Sequence, residues 1–349
     1  MPKAIAFINP RLTTRNVGDM FIEDSVKRIL VYDRDRSVDV DPRRPITAQH
    51  IRQINECDAA VIVGTNLLYR TMPGAGRWCF TSDDLRQVRV PIIPLGVGTT
   101  RHAGEDNGFD ALTLEHLRLI HGSCAMASAR DTRTAEVLCE AGMLNVTMTG
   151  CPTLYRSLQP VWQLRTNDTS RHVAVTVRHG QRRNVQLLID ELLRRGFEPT
   201  IAAQQDKDRF MQRTFSLFRP SIPTLYEYNL APYLDLVEQC RGVIGWRLHG
   251  DMLHLAHGRP TGFFANCSRS ASFCRSFGLP AVAVEDHDRL EARVIVEAVD
   301  RWLDPATYDE LPSRYESGRA RMISFLDANG LEHRLDASSP SAVPRATAA

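Results

Sequence analysis

Lysine is almost missing from this chain. Of its 43 basic residues, only Lys3, Lys27 and Lys207 are lysines, and all the others are arginine. The 41 acidic residues bring the net charge to +2 over 349 residues. The arginines are scattered, so the clustered basic stripe of a nucleic-acid-binding protein is excluded. Biased composition accounts for most of this preference, but arginine also suits planar, bidentate recognition of carboxylate or phosphate. Long apolar runs are missing as well, and no stretch approaches the ~18 consecutive apolar residues of a membrane helix. The opening Met1-Pro2-Lys3-Ala4-Ile5-Ala6-Phe7 has neither the apolar region nor the cleavage site of a signal peptide. The eight cysteines include no C-x-x-C pair, which excludes the usual structural zinc module, and no metal site is expected. Cys57 precedes the apolar Ala59-Ala60-Val61, where a reduced thiol behaves as a small hydrophobe. A reducing cytoplasm is the expected compartment. There is also no G-x-G-x-x-G after a strand, no Walker loop and no G-x-S-x-G elbow.

The chain is 43% hydrophobic and 24% charged, the balance of a globular protein, and its length suits two domains. Short apolar runs at 3–9, 59–64, 91–96, 125–130 and 145–149 read as strands. Helical patterns at 20–31, 112–121 and 132–141 lie between them. The last begins after Asp131, a good N-cap, and stops at Gly142. Pro160 and the polar 165–171 interrupt this rhythm, so 156–171 reads as a linker. Alternation then restarts, with strands at 172–177, 199–203, 242–246, 262–265 and 281–284. Helices are expected at 185–195, 207–217, 233–240, 251–257, 286–303 and 312–328. The predicted fold class is α/β: two Rossmann-like domains, 1–155 and 172–305, whose parallel sheets face a cleft. C-terminal helices over 306–336 and a disordered Ser/Pro/Ala-rich tail at 337–349 follow.

In open parallel sheets, ligands bind outside the carboxyl ends of the strands, so residues just after strands are the candidates. Asn16-Val17-Gly18-Asp19 follows the first strand and opens the helix at Met20. Its glycine allows close backbone approach and the helix N-terminus attracts anions, although capping this helix is the commoner role for Asp19. Arg178 ends the strand 172–177, where a solvated arginine is the commoner case. Arg247-Leu248-His249-Gly250-Asp251 is the most informative segment, because an arginine, a histidine and free helix N–H groups gather there. His254 and His257 follow at helical spacing. No suitable carboxylate pair accompanies them, so they read as packing histidines.

In order and spacing, these segments resemble the polysaccharide pyruvyl transferase family. The resemblance rests on Asn16-x-Gly18-Asp19, Gly96-x-Gly98, Ser128-x-Arg130-Asp131, Arg178, Arg247-Leu248-His249 and Phe277-Gly278-Leu279-Pro280. It implies a GT-B-like two-domain fold. It also implies transfer of pyruvate from phosphoenolpyruvate, the co-substrate, to two hydroxyls of a sugar, giving a cyclic ketal and phosphate without a resident cofactor. His249 is then the proton donor or base, and Asp19 the second catalytic candidate. Arg178, Arg247 and Leu248 belong to the donor. Arg269 falls where the family has a lysine, and a guanidinium there binds rather than shuttles protons. The alternative is that Cys267-Ser268-Arg269-Ser270 is a polar surface loop. Asn16, Gly18, Gly64, Thr65, Asn66 and Gly98 mark cleft loops on the acceptor side.

The implied partner is a sugar or glycan-lipid acceptor for a bacterial cell-surface glycan. That leaves open a peripheral contact with a membrane-linked acceptor and a homo-oligomer. The chain departs from the family at Gly64-Thr65-Asn66, at Arg269, and at Cys151-Pro152, where Asp-Pro is usual. Two other readings stand beside this one: a GT-B-type glycosyltransferase with a nucleotide-sugar donor, gripped faintly by Glu285-Asp286, and a non-catalytic anion- or sugar-binding relative.

Overall fold

The strands of this protein are short and apolar on both sides, which suits sheets covered by helices on each face. The computed structural model describes residues 1–64, 66–73, 78–99, 108–208, 222–284 and 289–336. Thr65, Glu285-Asp286, most of the expected helix 207–217 and the tail lie outside them.

The N-terminal lobe runs β1 (Ile5–Ile8), α1 (Val17–Ile29), β2 (Val38–Val40), α2 (Ala48–Asn55), β3 (Ala59–Val63), β4 (Asn66–Leu68) and α3 (Ser82–Gln87). It continues with β5 (Ile92–Leu95), β6 (Gly98–Thr99), α4 (Ala111–Ser123), β7 (Ala127–Ala129), α5 (Thr132–Glu140) and β8 (Val146–Met148). The C-terminal lobe runs β9 (His172–Thr176), α6 (Arg182–Arg194), β10 (Glu198–Ala202), β11 (Thr224–Leu225), α7 (Ala231–Gln239) and β12 (Gly242–Gly245). Then come α8 (Leu248–Ala256), β13 (Thr261–Ala265), α9 (Ser268–Phe277), β14 (Ala281–Ala283), α10 (Ala292–Leu303) and the final α11 (Leu311–Ala328).

The first sheet is ordered β2-β1-β3-β5 and the second β11-β10-β9-β12-β13-β14. Every strand pair among the described residues is parallel. A parallel bridge from Val97 to Ala129 carries the first sheet on to the β7–β8 pair. Strand order reverses between β1 and β3 in one lobe and between β9 and β12 in the other. Those two switch points are where a doubly wound sheet opens a binding crevice.

Three expectations about elements that carry candidate residues need correction. Helix α1 begins at Val17, not Met20, because Asn16 caps it. Helix α8 begins at Leu248, not Asp251. Arg247 is still extended and donates its N–H to Thr176 Oγ1 at 3.0 Å, so the helix starts with the next residue. The segment 267–270 is no surface loop but the first turn of α9. Its serines are poor helix formers, but Phe273, Cys274 and Phe277 are buried on one face, and that burial overrides propensity. The helix stops at Gly278, whose φ of 63° favours glycine.

The segment 156–171 is tied down along its length. Arg156 Nε bonds Asp24 at 2.7 Å, and the buried Trp162 donates to the Leu255 carbonyl at 2.7 Å. Helix α11 returns to the N-terminal lobe, where Arg321 donates to the Met148 carbonyl and Asn329 to that of Met126. One apolar cluster joins Ile22 and Val26 of α1 to Met252 of α8, Phe277 of α9 and Phe325 of α11. The lobes therefore share a core behind the cleft. Among the described residues, no helix is long and apolar enough to cross a membrane.

Buried histidines give the fold an acid sensitivity. Burial holds the imidazoles of His121 and His254 down at about 4 and that of His257 at about 3. They are neutral when folded, whereas in the unfolded chain they protonate below about 6.5. The stability they confer is complete above pH 6.5 and is lost as pH falls towards 4. Thermal melts should show a lower Tm at pH 5 than at pH 7.5. An unchanged Tm would place these rings in water.

Candidate active site

The N-terminus of α1 packs against the C-terminal lobe. Val17 donates its N–H to the Gln204 carbonyl at 2.9 Å. A Cβ on Gly18 would lie 3.1 Å from both Gln204 Oε1 and His249 Nδ1, so the absent side chain makes room for the histidine. Asn16, not Asp19, is the N-cap, and its Oδ1 accepts the Gly18 N–H at 3.2 Å. Asp19 stands one position further on and accepts from Thr14 Oγ1 at 2.8 Å and Asn16 Nδ2 at 3.2 Å. Burial raises its pKa, partly offset by the Thr14 bond and by Arg43 and Arg130.

His249 is the second residue of α8, buried, with Nε2 lacking a hydrogen-bond partner. Its pKa lies well below 6.5, first through burial and then through the positive charges of Arg130, Arg269 and Arg247. The imidazole is therefore neutral at physiological pH.

Each arginine is held differently. Arg130 follows β7 and is 0% exposed; Nη2 donates to the Gly64 carbonyl at 3.1 Å and Nε reaches the Gly96 carbonyl at 3.4 Å. The ends of β3 and β5 thus fix its guanidinium. Arg247 is clamped by the buried Asp208, with Nη2–Oδ1 2.6 Å and Nε–Oδ2 3.0 Å, and also bonds Gln205 Oε1 and the Val177 carbonyl. Arg269, in the first turn of α9, keeps a buried Nε without a partner. Together with Ser270 and Arg178, it draws the Cys267 thiol pKa below its ordinary value despite burial. No side chain caps α8 or α9, so their first-turn N–H groups add positive potential at the carboxyl edge of the sheet. The adjacent Asn266 has a buried Nδ2 without a partner. Such a collection of fixed positive charge and unused donors is built for an anion.

A family model for polysaccharide pyruvyl transferases matches residues 16–268. The chain belongs to that family. No curated protein matches it. Among solved structures, it is similar to S. aureus MnaA in complex with UDP, at 12% identity and TM-score 0.53, covering 94% of this chain and 98% of that one. The UDP-GlcNAc 2-epimerase of Methanocaldococcus jannaschii is 8% identical with TM-score 0.53, covering 93% and 99%. The enzyme from Neisseria meningitidis bound to UDP-GlcNAc is 12% identical with TM-score 0.51, covering 93% and 100%. These likenesses establish a GT-B-like fold for this pyruvyl transferase family member.

In this transferase the residues singled out from the sequence fall into distinct places. Asn16, Gly18, Asp19 and His249 come together where the lobes meet. Arg269 lies in the first turn of α9, and Arg178 is near enough to Cys267, just before that turn, to lower its thiol pKa. Arg247 is oriented and largely neutralised by Asp208, so it is a weaker donor cation than its position suggests. Leu248 points into the apolar cluster and offers the site only its backbone. Gly64 contributes the carbonyl that holds Arg130, and a Cβ there would sit 2.9 Å from the Leu95 carbonyl. Gly98 and Asn66 pair through their backbones in the β4–β6 ladder. Cys151, at the departure from Asp-Pro, is buried beside Arg130. His254 bonds the Gly250 carbonyl within α8, and His257 lies against Arg156, as packing histidines would.

Sequence reasoning gave no role to Arg130, Asp208, Gln204 or Thr176. Arg130 carries a usable signal, since the rule that selects Arg178, an arginine directly after a parallel strand, selects it too. Asp208 carries none, because its pairing with Arg247 spans 39 residues and exists only in the fold.

Proposed function

We propose that this enzyme transfers pyruvate from phosphoenolpyruvate to two hydroxyls of a sugar, forming a ketal and releasing phosphate. The observation that carries the reading is the unpartnered, buried Nε2 of His249, set among Arg130, Arg247 and Arg269. Phosphoenolpyruvate brings a carboxylate and a phosphate, and Arg178, Arg269 and the uncapped turns of α8 and α9 suit both. The methylene carbon gains a proton and becomes a methyl group, one acceptor hydroxyl adds to the central carbon, and the second displaces phosphate. Of the two hydroxyl protons, one balances the new methyl group and the other leaves with phosphate. Neutral His249 is ready to accept a hydroxyl proton. The negative charge of the bound donor raises its pKa, which lets it return a proton to the methylene carbon.

The test is a thermal-shift titration with phosphoenolpyruvate and UDP-GlcNAc, in the presence of chelator. Phosphoenolpyruvate should stabilise the protein, since a ligand selective for the folded state raises Tm. Stabilisation by UDP-GlcNAc alone would favour the nucleotide-sugar reading, which otherwise rests on shared fold.

Two variants probe the assembly. Gly18→Val places methyl groups against His249 and Gln204, and turnover should fall by roughly 10²-fold through misplacement of the ring. Phosphate release in single turnover reads this out, and normal rates would mean the lobes give way there without consequence. At position 269, lysine preserves charge but loses the planar fork, whereas glutamine removes the charge. Arg269→Lys should retain measurable transfer, and Arg269→Gln should lose most of it through donor affinity. Equal donor dissociation constants for the three proteins at low and moderate salt would put Arg269 outside the donor site.

A further inference from the structure

The N-terminal side of the cleft carries groups that donor binding leaves unused. Asp41 follows β2 at the carboxyl edge of the sheet, next to Asn9, whose N–H donates to the Val40 carbonyl at 2.9 Å. It is 5% exposed; Oδ1 accepts the Arg43 N–H at 2.9 Å, and Oδ2 has no partner. Buried polar atoms are nearly always satisfied, so an orphaned carboxylate oxygen calls for a donor from elsewhere. Arg43 links Asp41 to Asp19, with Nη2 4.0 Å from Asp19 Oδ2. On the other side of Asp19, Thr14 donates to the carboxylate, and the Thr14 carbonyl accepts from the Tyr228 hydroxyl. Tyr228 comes from the C-terminal lobe, between β11 and α7. It is 43% exposed, with the Arg11 guanidinium 5.5 Å from the ring centroid. An aromatic ring, an arginine and a buried carboxylate thus stand in one contiguous set around Asp19.

The charge of this face differs from that of the donor side. Here Asp19, Asp41 and Glu23 offset Arg11 and Arg43, and Arg11 Nη1 is already 3.1 Å from Glu23. At α9, Arg178 and Arg269 dominate. A polyanion is drawn to α9, whereas a neutral polyol suits the mixed face. Carboxylates accept from hydroxyls, arginine donates to them, and an aromatic ring takes the apolar face of a sugar.

We propose that Asp41, Arg43 and the Tyr228 ring form the acceptor subsite, holding a neutral pyranoside whose ring lies on Tyr228 and whose hydroxyls bond Asp41 Oδ2 and Arg43. The proposal rests on the pyruvyl-transfer reading and adds a substrate class to it. The subsite joins residues of both lobes, with Asp41 and Arg43 from the N-terminal lobe and Tyr228 from the C-terminal lobe.

The probes are the p-nitrophenyl β-galactoside, β-glucoside and β-mannoside. Their dissociation constants are measured by saturation-transfer NMR, with and without phosphoenolpyruvate. Wild-type protein should bind at least one. Tyr228→Ala and Asp41→Asn should each weaken it about tenfold or more. Tyr228→Phe should recover most of the loss, because the ring and not its hydroxyl meets the sugar. The dissociation constant for phosphoenolpyruvate should be the same in all of these proteins. Wild-type affinity in Tyr228→Ala, or a Tyr228→Phe as weak as Tyr228→Ala, overturns the subsite. So does a wild-type protein that binds none of the three glycosides. Failure of the wild type to bind phosphoenolpyruvate counts against pyruvyl transfer instead, and the glycoside affinities without donor still decide the subsite.

Discussion

Replacing His249 by asparagine should slow turnover by roughly 10²–10⁴-fold, the usual contribution of a positioned proton-transfer group. Donor affinity should change far less, since the arginines and the helix N-termini supply most of the attraction for phosphoenolpyruvate. Asparagine fits the space left by Gly18 and can still donate a hydrogen bond, but it cannot carry a proton from hydroxyl to carbon. Phosphate release and the phosphoenolpyruvate dissociation constant, measured on the same preparation, separate the two effects. A variant that turns over normally would remove His249 from the chemistry. The wild-type pH profile is a further check. Burial and the three arginines hold the imidazole well below 6.5 in the free enzyme. The acid limb of kcat/KM assigned to His249 should therefore lie below that value, and activity should fall as pH drops through it.

The second large effect is expected from Asp208→Ala. Its carboxylate is 0% exposed, and the Arg247 it clamps is 17% exposed, so the alanine leaves a nearly buried guanidinium unpaired. Oδ2 also accepts the backbone N–H groups of Gln204 and Gln205, at 3.3 and 3.1 Å. Breaking one partner of a buried ion pair costs about 3–5 kcal/mol. Because Gln204 holds Val17, activity should fall with stability. Removing both charges, as Asp208→Leu with Arg247→Met, should cost less than Asp208→Ala alone, since no charge is left stranded. Urea denaturation of the three proteins gives the comparison. An Asp208→Ala that unfolds at the wild-type midpoint would show that Arg247 finds water or another partner.

Several parts of the architecture were legible because they depend on local chemistry. Alternating apolar runs and helical patterns identify a parallel α/β chain, and Asp131 and Gly142 bound α5 as read. The reading of 267–270 as a surface loop failed because the segment is rich in serine, a poor helix former. Burial of Phe273 against Phe263 and of Phe277 beside Gly150 makes that segment helical. The segment 156–171 looked like a linker because it is polar with a proline, but Trp162 and Arg156 dock on partners far away in the chain.

The sequence by itself determined the fold class, the family and the segments following strands in which His249, Arg178 and Asp19 stand. These follow from residue order and from the rule that parallel sheets bind at their carboxyl edges. Tertiary structure alone decided which charges are available there. Asp208 neutralises Arg247, the carbonyls of Gly64 and Gly96 hold Arg130 beside Cys151, and Gly18 brings His249 against α1. Electrostatic strength depends on distance and burial, and neither can be read from the order of residues along a chain.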